Sequence, residues 1–237
     1  MWRAGLISAL LLVAGTATAE TKPDTPIKVL IVTGGCCHNY PKQREILETG
    51  LKARLNVTVS HLYYDPKPGE QATRPKLPIF DNPNYGDGYD VIIHNECAAD
   101  ESDPQIIDTV LSPHQKGIPY TGIQSSGHGP QSPITLTIAP EAHAITQGLN
   151  GWTTSKDELY NNLTTFNVTP LIYGIQPESS VTADRDKTFT VAWIHSYGPK
   201  NVRVFSTTLA HNEANMREDA YLDLVANGVA WASGRLN

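Results

Sequence analysis

The sequence predicts an α/β fold, a three-layer sandwich with a mostly parallel central sheet, helices on both faces and an added hairpin. Three observations predict it. In the first half of the 237-residue chain, short runs rich in β-branched residues alternate with helical segments. In the second half, two strand-like segments flank a turn-rich joint typical of a hairpin. The composition, 40% apolar and 18% charged, is that of a globular domain with a sizeable core.

Local patterns place the elements of the first half. The apolar run 28–33 ends at two glycines, as a buried parallel strand entering a loop does. Asp103 and Pro104 are typical of a helix cap and a first helical residue, and Ile107 is expected on the buried face of that helix. Strands are expected at 28–33, 57–63, 90–94 and 118–123, helices at about 41–55 and from 103 onward, and a lid or binding loop at 64–89.

The second half is less regular but still strand-rich. Strands are expected at 134–138, 168–175, 189–195 and 202–209, with the hairpin turn at 197–201 and a closing helix at 217–233. The chain contains no internal repeat or linker-like tract. We therefore expect a single domain over residues 20–237.

Residues 1–19 are typical of an export signal. Arg3 begins a short apolar stretch at 6–14, and small residues at 17–19 form a cleavage motif before Glu20. A retained membrane anchor is the alternative, but the apolar run is too short to span a bilayer. The sequence therefore predicts a secreted or periplasmic protein with no stable membrane span after cleavage.

The charge of the chain limits its partners. It has 18 Lys and Arg against 24 Asp and Glu, a net charge of −6. Without basic runs, it lacks the electrostatic features of a nucleic-acid-binding protein or of a protein that binds an anionic membrane. A small-molecule partner, such as a carbohydrate, is compatible with this composition, and nothing in the sequence fixes an oligomeric state.

Histidines cluster at predicted strand ends. Ligands of open parallel sheets bind outside the carboxyl ends of the strands. Five of the eight histidines fall there: His38, His94, His128, His195 and His211. Glu96 is among them, so we expect imidazoles and a carboxylate to share one cleft. His94 lies within an apolar run, where a structural role is the commoner one.

This pattern suggests roles for the polar residues. We expect Glu96 to act as a general acid–base, with His38 and His195 polarising the substrate or holding a metal. His195 and His211 bracket the predicted hairpin, so both could face the cleft. Sugar hydroxyls would be bound by amides, hydroxyls, carboxylates and imidazoles, namely Asn95, Gln124, Ser125, Asp157, Glu158 and His211. Asp157 and Glu158 could equally be a solvated loop pair.

Metal and cysteine chemistry stay open at this point. Two or three histidines with Glu96 would suit a divalent metal such as Zn²⁺ with an open position, although no local metal motif is present. If the first three strands lie in the order 2-1-3, Cys97 is close to Cys36 and Cys37. One disulfide between Cys97 and either of them, with the third thiol free, is the expected arrangement. Residues 124–127 do not match G-x-S-x-G, so a serine nucleophile is not favoured.

Several segments, taken in order, resemble one known family. They are residues 29–38, 90–96, 157–160, 193–198, 203–211 and 227–231. Together they resemble the trehalose-utilisation (ThuA-like) family over nearly all of residues 20–237. The resemblance implies a class I glutamine amidotransferase-like, flavodoxin-like fold. It also implies a role in disaccharide or keto-sugar catabolism, as a hydrolase or lyase.

The chain departs from the family pattern at two places that matter for function. Glutamine amidotransferases carry a cysteine nucleophile after the fourth strand, where this chain has Gln124, so glutaminase activity is not expected. Many relatives have a histidine at this elbow, and many have glycine where this chain has Ala210. The missing histidine leaves an alternative function, a non-catalytic carbohydrate-binding relative that keeps the pocket without the chemistry.

Overall fold

The computed structural model describes residues 25–123, 127–161, 163, 165–176 and 188–237. The predicted export signal at 1–19 lies outside them. The strands are β1 (Ile27–Gly35), β2 (Val57–Tyr64), β3 (Val91–Cys97), β4 (Tyr120–Ile123), β5 (Ser132–Ile138), β6 (Thr153–Asp157), β7 (Thr169–Ile175), β8 (Phe189–Tyr197) and β9 (Val202–Thr207). The helices are α1 (Tyr40–Arg54), α2 (Pro104–Gln115), α3 (Glu213–Met216) and α4 (Asp219–Ala232).

The described strands form one nine-stranded sheet in the order β2-β1-β3-β4-β9-β8-β7-β5-β6. The four neighbouring pairs from β2 to β9 are parallel, and the four from β9 to β6 are antiparallel. A mixed α/β fold and the β8–β9 hairpin are confirmed. The prediction of a mostly parallel sheet is not confirmed, because only half of the pairs are parallel.

Apolar side chains of alternating orientation bury both faces of the parallel half. Val29 and Ile31 of β1 join the larger core, which includes residues of α1 and α4, and Leu30 and Val32 join a smaller core on the opposite face. This burial explains why the strands of the first half could be predicted from their apolar runs.

The segment expected to be a lid is part of the second core. Leu77, Ile79 and Tyr85 are each at most 6% exposed and pack in the smaller core with Leu30 and Ile92. The short 3₁₀ helix Pro78–Asp81 within this segment contacts α2. The segment therefore closes one face of the sheet as a packed layer.

Two local predictions were wrong. Ile107 is 45% exposed, whereas Pro113 and His114 near the end of α2 are buried. Strand β6 was missed because its sequence, Thr-Thr-Ser-Lys-Asp, has no apolar residue. As the last strand of the sheet, β6 pairs with β5 alone, and such an edge does not need apolar side chains on both faces. Among the described residues, no helix combines the length and apolarity needed to cross a membrane.

Candidate functional site

A cleft lies where the carboxyl ends of β1 and β3 meet the loop that follows β9. In the β1–β3 register, Gly34 and Gly35 lie beside Glu96 and Cys97. A side chain at Gly35 would overlap the carbonyl oxygen of Cys97, so glycine allows this close approach. The cleft has an inner cavity of about 20 Å³, room for about one water molecule. The cavity is lined in part by His38, Gln43, Asn95, Glu96, Cys97 and His211.

A larger pocket adjoins the inner cavity on the outside. Its volume is about 430 Å³, and His38, Gln43 and His211 line both spaces. The remaining lining residues of the pocket are Cys37, Asn39, Asn212 and Glu213. Most of the side chains that line this pocket are polar.

Glu96 begins a chain of hydrogen-bonded side chains that runs from the cavity into the interior. Its Oε1 lies 2.6 Å from Nδ1 of His94, and Nε2 of His94 lies 3.0 Å from Nε2 of His114 on α2. Nδ1 of His114 donates to the carbonyl oxygen of Ile118 at 2.8 Å. Oε2 of Glu96 is buried and has no hydrogen-bond partner among the described residues.

The hydrogen bonds that link Glu96, His94 and His114 determine where the protons of these side chains lie. Burial, with the nearby charge of His94, lowers the pKa of His114 to about 3, so His114 is neutral. With its proton on Nδ1, its Nε2 can only accept, and His94 must donate from Nε2. At 2.6 Å, Nδ1 of His94 and Oε1 of Glu96 need a proton between them. The His94–Glu96 pair therefore holds one proton at the edge of the cavity.

His38, in contrast to the His94–Glu96 pair, is arranged to accept a proton. Its Nδ1 donates to the carbonyl oxygen of His211 at 3.2 Å, and its ring packs edge-on against that of His211. Burial lowers the pKa of His38 below its usual value. The neutral ring with its proton on Nδ1 leaves Nε2 as an unprotonated acceptor. One cavity is thus lined by a potential proton donor and a potential proton acceptor.

Asp157 organises the loop after β9. It is fully buried, and its carboxylate accepts backbone N–H bonds from Glu158, Ala210 and His211 at 2.8–3.0 Å. Burial raises the pKa of Asp157, against the effect of these three bonds. Its predicted role as a sugar ligand is therefore corrected to a positioning role, because both carboxylate oxygens are engaged by the protein.

Ala210 adopts the left-handed backbone conformation, with φ of 74°, a region that favours glycine. Replacing Ala210 with glycine is expected to raise the free energy of unfolding by roughly 0.5–1 kcal/mol, because glycine has no Cβ penalty there. Urea denaturation would measure it. The matched control is Ala53→Gly at an exposed position of helix α1, which should lower stability by about as much. A loss in both variants would contradict the strain at Ala210.

Glu158 lies behind the cleft among polar side chains. It accepts hydrogen bonds from Gln131 and Tyr160 at 2.9 Å. Its Oε2 also lies 3.0 Å from Nδ1 of His211 and 3.2 Å from Nε2 of His128, which are ion-pair distances. Because Glu158 is only 5% exposed, its expected contact with substrate is replaced by a role in orienting His211 and Tyr160, which line the cavity.

His195 does not lie in this cleft. It pairs with Val204 in the β8–β9 ladder, and its Nδ1 contacts the carbonyl oxygen of Asn167. Since β8 is antiparallel to β9, the carboxyl end of β8 faces the opposite edge of the sheet from His211. The expected sharing of the cleft was wrong for His195, although His38 and Glu96 do share it.

The other predicted ligands have separate outcomes. Asn95 lines the cavity, is 5% exposed and donates to Oε1 of Gln43 at 3.3 Å. Gln124 and Ser125 lie outside the described residues. In the described part of the chain, the one group of three potential metal ligands close enough for a single ion is Cys36, Cys37 and Cys97. The expected set of histidines with Glu96 is not gathered around one point.

Two contributors to the site were not predicted. Gln43 is 2% exposed and donates to the carbonyl oxygen of His211, and His114 fixes the proton on His94. Gln43 lies one turn before Ile46 and Leu47, on the apolar face of α1. A polar residue on that face was a usable signal. His114 gave no comparable signal, because it lies beside Pro113 near a helix end.

The fold and cleft define an α/β protein with a cleft lined by imidazoles and a carboxylate at the carboxyl ends of parallel strands. The trehalose utilisation (ThuA) family model matches residues 87–232, and the chain belongs to this family. Its placement in the class I glutamine amidotransferase-like superfamily is consistent with this. No curated protein matches the chain.

Solved structures share the fold. A ThuA-like protein from Parabacteroides merdae superposes with a TM-score of 0.69 at 17% identity, covering 90% of this chain and 92% of that one. A ThuA-like protein from Bacteroides uniformis gives a TM-score of 0.59 at 14% identity, covering 92% and 95%. At these identities the likeness concerns the fold alone.

Proposed function

We propose that the chain is an exported enzyme of disaccharide or keto-sugar catabolism that cleaves a glycosidic bond as a lyase or hydrolase. Membership of the trehalose utilisation family supports the substrate class. The pattern of residues 1–19 supports export. The observation that carries the proposal is that Glu96 and His38 line one cavity. Glu96 shares a proton with His94, and His38 has a free acceptor nitrogen, Nε2.

On a keto-glycoside, this pair supports an elimination. The carbonyl group makes the neighbouring C–H bond acidic, and Nε2 of His38 takes that proton. The electron pair forms a C=C bond as the bond to the glycosidic oxygen breaks. Glu96 supplies the proton held with His94 to the leaving oxygen, so charge does not build up on it. Addition of water to the product would complete a net hydrolysis.

The two spaces of the cleft suggest how the substrate is placed. The inner cavity is too small for a sugar ring, whereas the outer pocket of about 430 Å³ is large enough for one. His38 and His211 lie at the junction, so the ring would occupy the outer pocket with its reacting bond at the junction. Glu213 and Asn39, which hydrogen-bond to each other at 2.6 Å, lie at the rim and are suited to sugar hydroxyls.

Replacement of the acid or the base tests the proposal. Glu96→Gln and His38→Ala are each expected to reduce turnover of a 3-keto-disaccharide by 10²- to 10⁴-fold, because each removes one proton-transfer group. Release of the free monosaccharide measures turnover, and calorimetric titration measures binding. His61→Ala is the matched control. His61 lies on edge strand β2 and pairs with Glu48 of α1, so its replacement is expected to leave turnover unchanged.

The alternative function gives a different result. A non-catalytic carbohydrate-binding protein would bind the keto-disaccharide without releasing product, also with Zn²⁺, Mn²⁺ or Mg²⁺ added. That result for the wild type would replace the proposed enzyme activity with binding alone.

A further inference from the structure

Three cysteines gather beside the cleft. Cys36 and Cys37, in the loop after β1, form a disulfide between neighbouring residues, and Cys97 at the end of β3 keeps a free thiol. Sγ of Cys97 lies 3.4 Å from Sγ of Cys36, close to sulfur–sulfur contact. The expected proximity of Cys97 to this pair is thus confirmed, but the expected pairing of Cys97 in the disulfide is wrong for this structure.

We propose that Cys36, Cys37 and Cys97 form a thiol–disulfide exchange site, in which Cys97 opens the Cys36–Cys37 disulfide and frees the Cys37 thiol at the outer pocket. Cys97, as the thiolate, attacks Sγ of Cys36. The Cys36–Cys97 bond forms as the Cys36–Cys37 bond breaks, and Sγ of Cys37 leaves with the electron pair and takes up the proton that Cys97 lost. One disulfide and one thiol are present before and after, so no oxidant or reductant is needed.

The backbone holds the three sulfurs in place for this exchange. The backbone N–H of Cys36 donates to the carbonyl oxygen of Cys97 at 3.2 Å, which fixes the two residues side by side. Cys37 has φ of 82°, in the left-handed region that non-glycine residues adopt only at a cost in free energy. Opening the disulfide removes the covalent constraint on this residue.

The two states differ in what the outer pocket presents. Cys36 is 5% exposed and Cys97 is half-buried, whereas Cys37 is exposed and lines the outer pocket with His38 and His211. Exchange therefore replaces the half-buried thiol of Cys97 with an exposed thiol of Cys37 at the outer pocket. The freed Cys37 thiol is a modification site for small disulfides, with which it forms a mixed disulfide and releases the other half as a thiol.

The rate of exchange depends on the ionisation of Cys97. Burial raises the pKa of the Cys97 thiol, and the neighbouring Glu96 and Asp100 carboxylates raise it further. The backbone of Ala99 and the Tyr40 hydroxyl from α1 act in the opposite direction. Tyr160, after β6, is a further titratable group that faces Cys97, and His38 and His211 line the same inner cavity. Only the Cys97 thiolate attacks, and its fraction grows as the pH rises. We therefore expect the rate of exchange to increase between pH 6 and pH 9.

Alkylation of the native, non-reduced full chain tests the proposal. N-ethylmaleimide would trap whichever cysteine is free, and trypsin would separate peptide 29–42, with Cys36 and Cys37, from peptide 77–116, with Cys97. We expect two labelled species by mass spectrometry. One carries the label on Cys97; the other carries it on Cys37, with the two peptides cross-linked through Cys36 and Cys97.

Two serine variants make the result decisive. Cys97→Ser is expected to lower labelling of Cys37 at least tenfold, and Cys37→Ser is expected to contain the Cys36–Cys97 cross-link and no free thiol. Label confined to a single cysteine in the wild type would overturn the proposal. The proposal would also be overturned if Cys37 were labelled in Cys97→Ser to the same extent as in the wild type. Three labelled cysteines per chain would overturn it as well. None of these outcomes depends on turnover of a sugar.

Discussion

Replacing Asp157 with alanine is expected to lower the free energy of unfolding by about 3–5 kcal/mol. The carboxylate accepts three backbone N–H bonds in a fully buried position. Alanine would leave these donors unpaired, and each hydrogen bond to a charged group contributes about 1.5–3 kcal/mol. Losses from one network are not additive, which keeps the total below the sum of the three.

We expect Asp157→Ala to disrupt the candidate site as well as the loop after β9. The carbonyl oxygen of His211 accepts from both His38 and Gln43, so a displaced loop would release the proposed base as well as destabilise the fold. Urea denaturation at pH 7 measures the loss. Asp90→Ala is the matched control, because Asp90 is exposed and accepts one backbone N–H bond from Lys28. It is expected to cost under about 1 kcal/mol. Equal losses in the two variants would show that the loop is held by other contacts.

The parallel half of the fold could be predicted because its strands are buried on both faces. Such strands must be apolar throughout, and the runs around Val29 and Ile92 are visible in the sequence. The direction of the later strands is not encoded in this way. An apolar segment such as β8 has the same composition whether it runs up or down, and its direction decided on which edge His195 would lie.

The site was predictable where strand ends alone determine position. His38 follows β1, and Glu96 lies near the carboxyl end of β3. These two strands are parallel neighbours, so the two residues meet at one edge of the sheet. Asp157 and Glu158 were identified as polar residues worth attention, but nothing local shows that Asp157 is buried against the loop of Ala210. That contact joins residues 53 positions apart, and it depends on the tertiary packing of an unpredicted strand.

The cysteines show the same limit. The order β2-β1-β3 brings Cys97 beside Cys36 and Cys37, as the sequence predicted. Which two of three neighbouring sulfurs are bonded depends on the local geometry of a few side chains and on the backbone conformation at Cys37, where φ is positive. Sequence patterns carry no information at that scale.

Acid is expected to destabilise the folded chain through His114, and the loss becomes comparable to that expected for Asp157→Ala only near pH 3. The pKa of His114 is lowered from the usual 6.5 to about 3 by burial and by the charge of His94. In the unfolded chain this histidine takes up a proton below pH 6.5, whereas in the folded chain it does so only near pH 3. Each pH unit between these values therefore removes about 1.4 kcal/mol of stability, about 2 kcal/mol by pH 5.

Comparison of pH slopes isolates this contribution from other titrating groups. His38, whose pKa is also lowered, acts in the same direction, and Asp157, whose pKa is raised, acts in the opposite one. In His114→Asn the side-chain amide can still donate to Ile118, and the variant removes the titration together with the ring contacts to His94 and Tyr120. We expect the fall in unfolding free energy between pH 7 and pH 5 to be about 2 kcal/mol smaller in this variant than in the wild type. His195→Asn, at the far edge of the sheet, should keep the wild-type slope. An unchanged slope in His114→Asn would mean that His114 titrates normally and would remove the basis for placing the shared proton on His94 and Glu96.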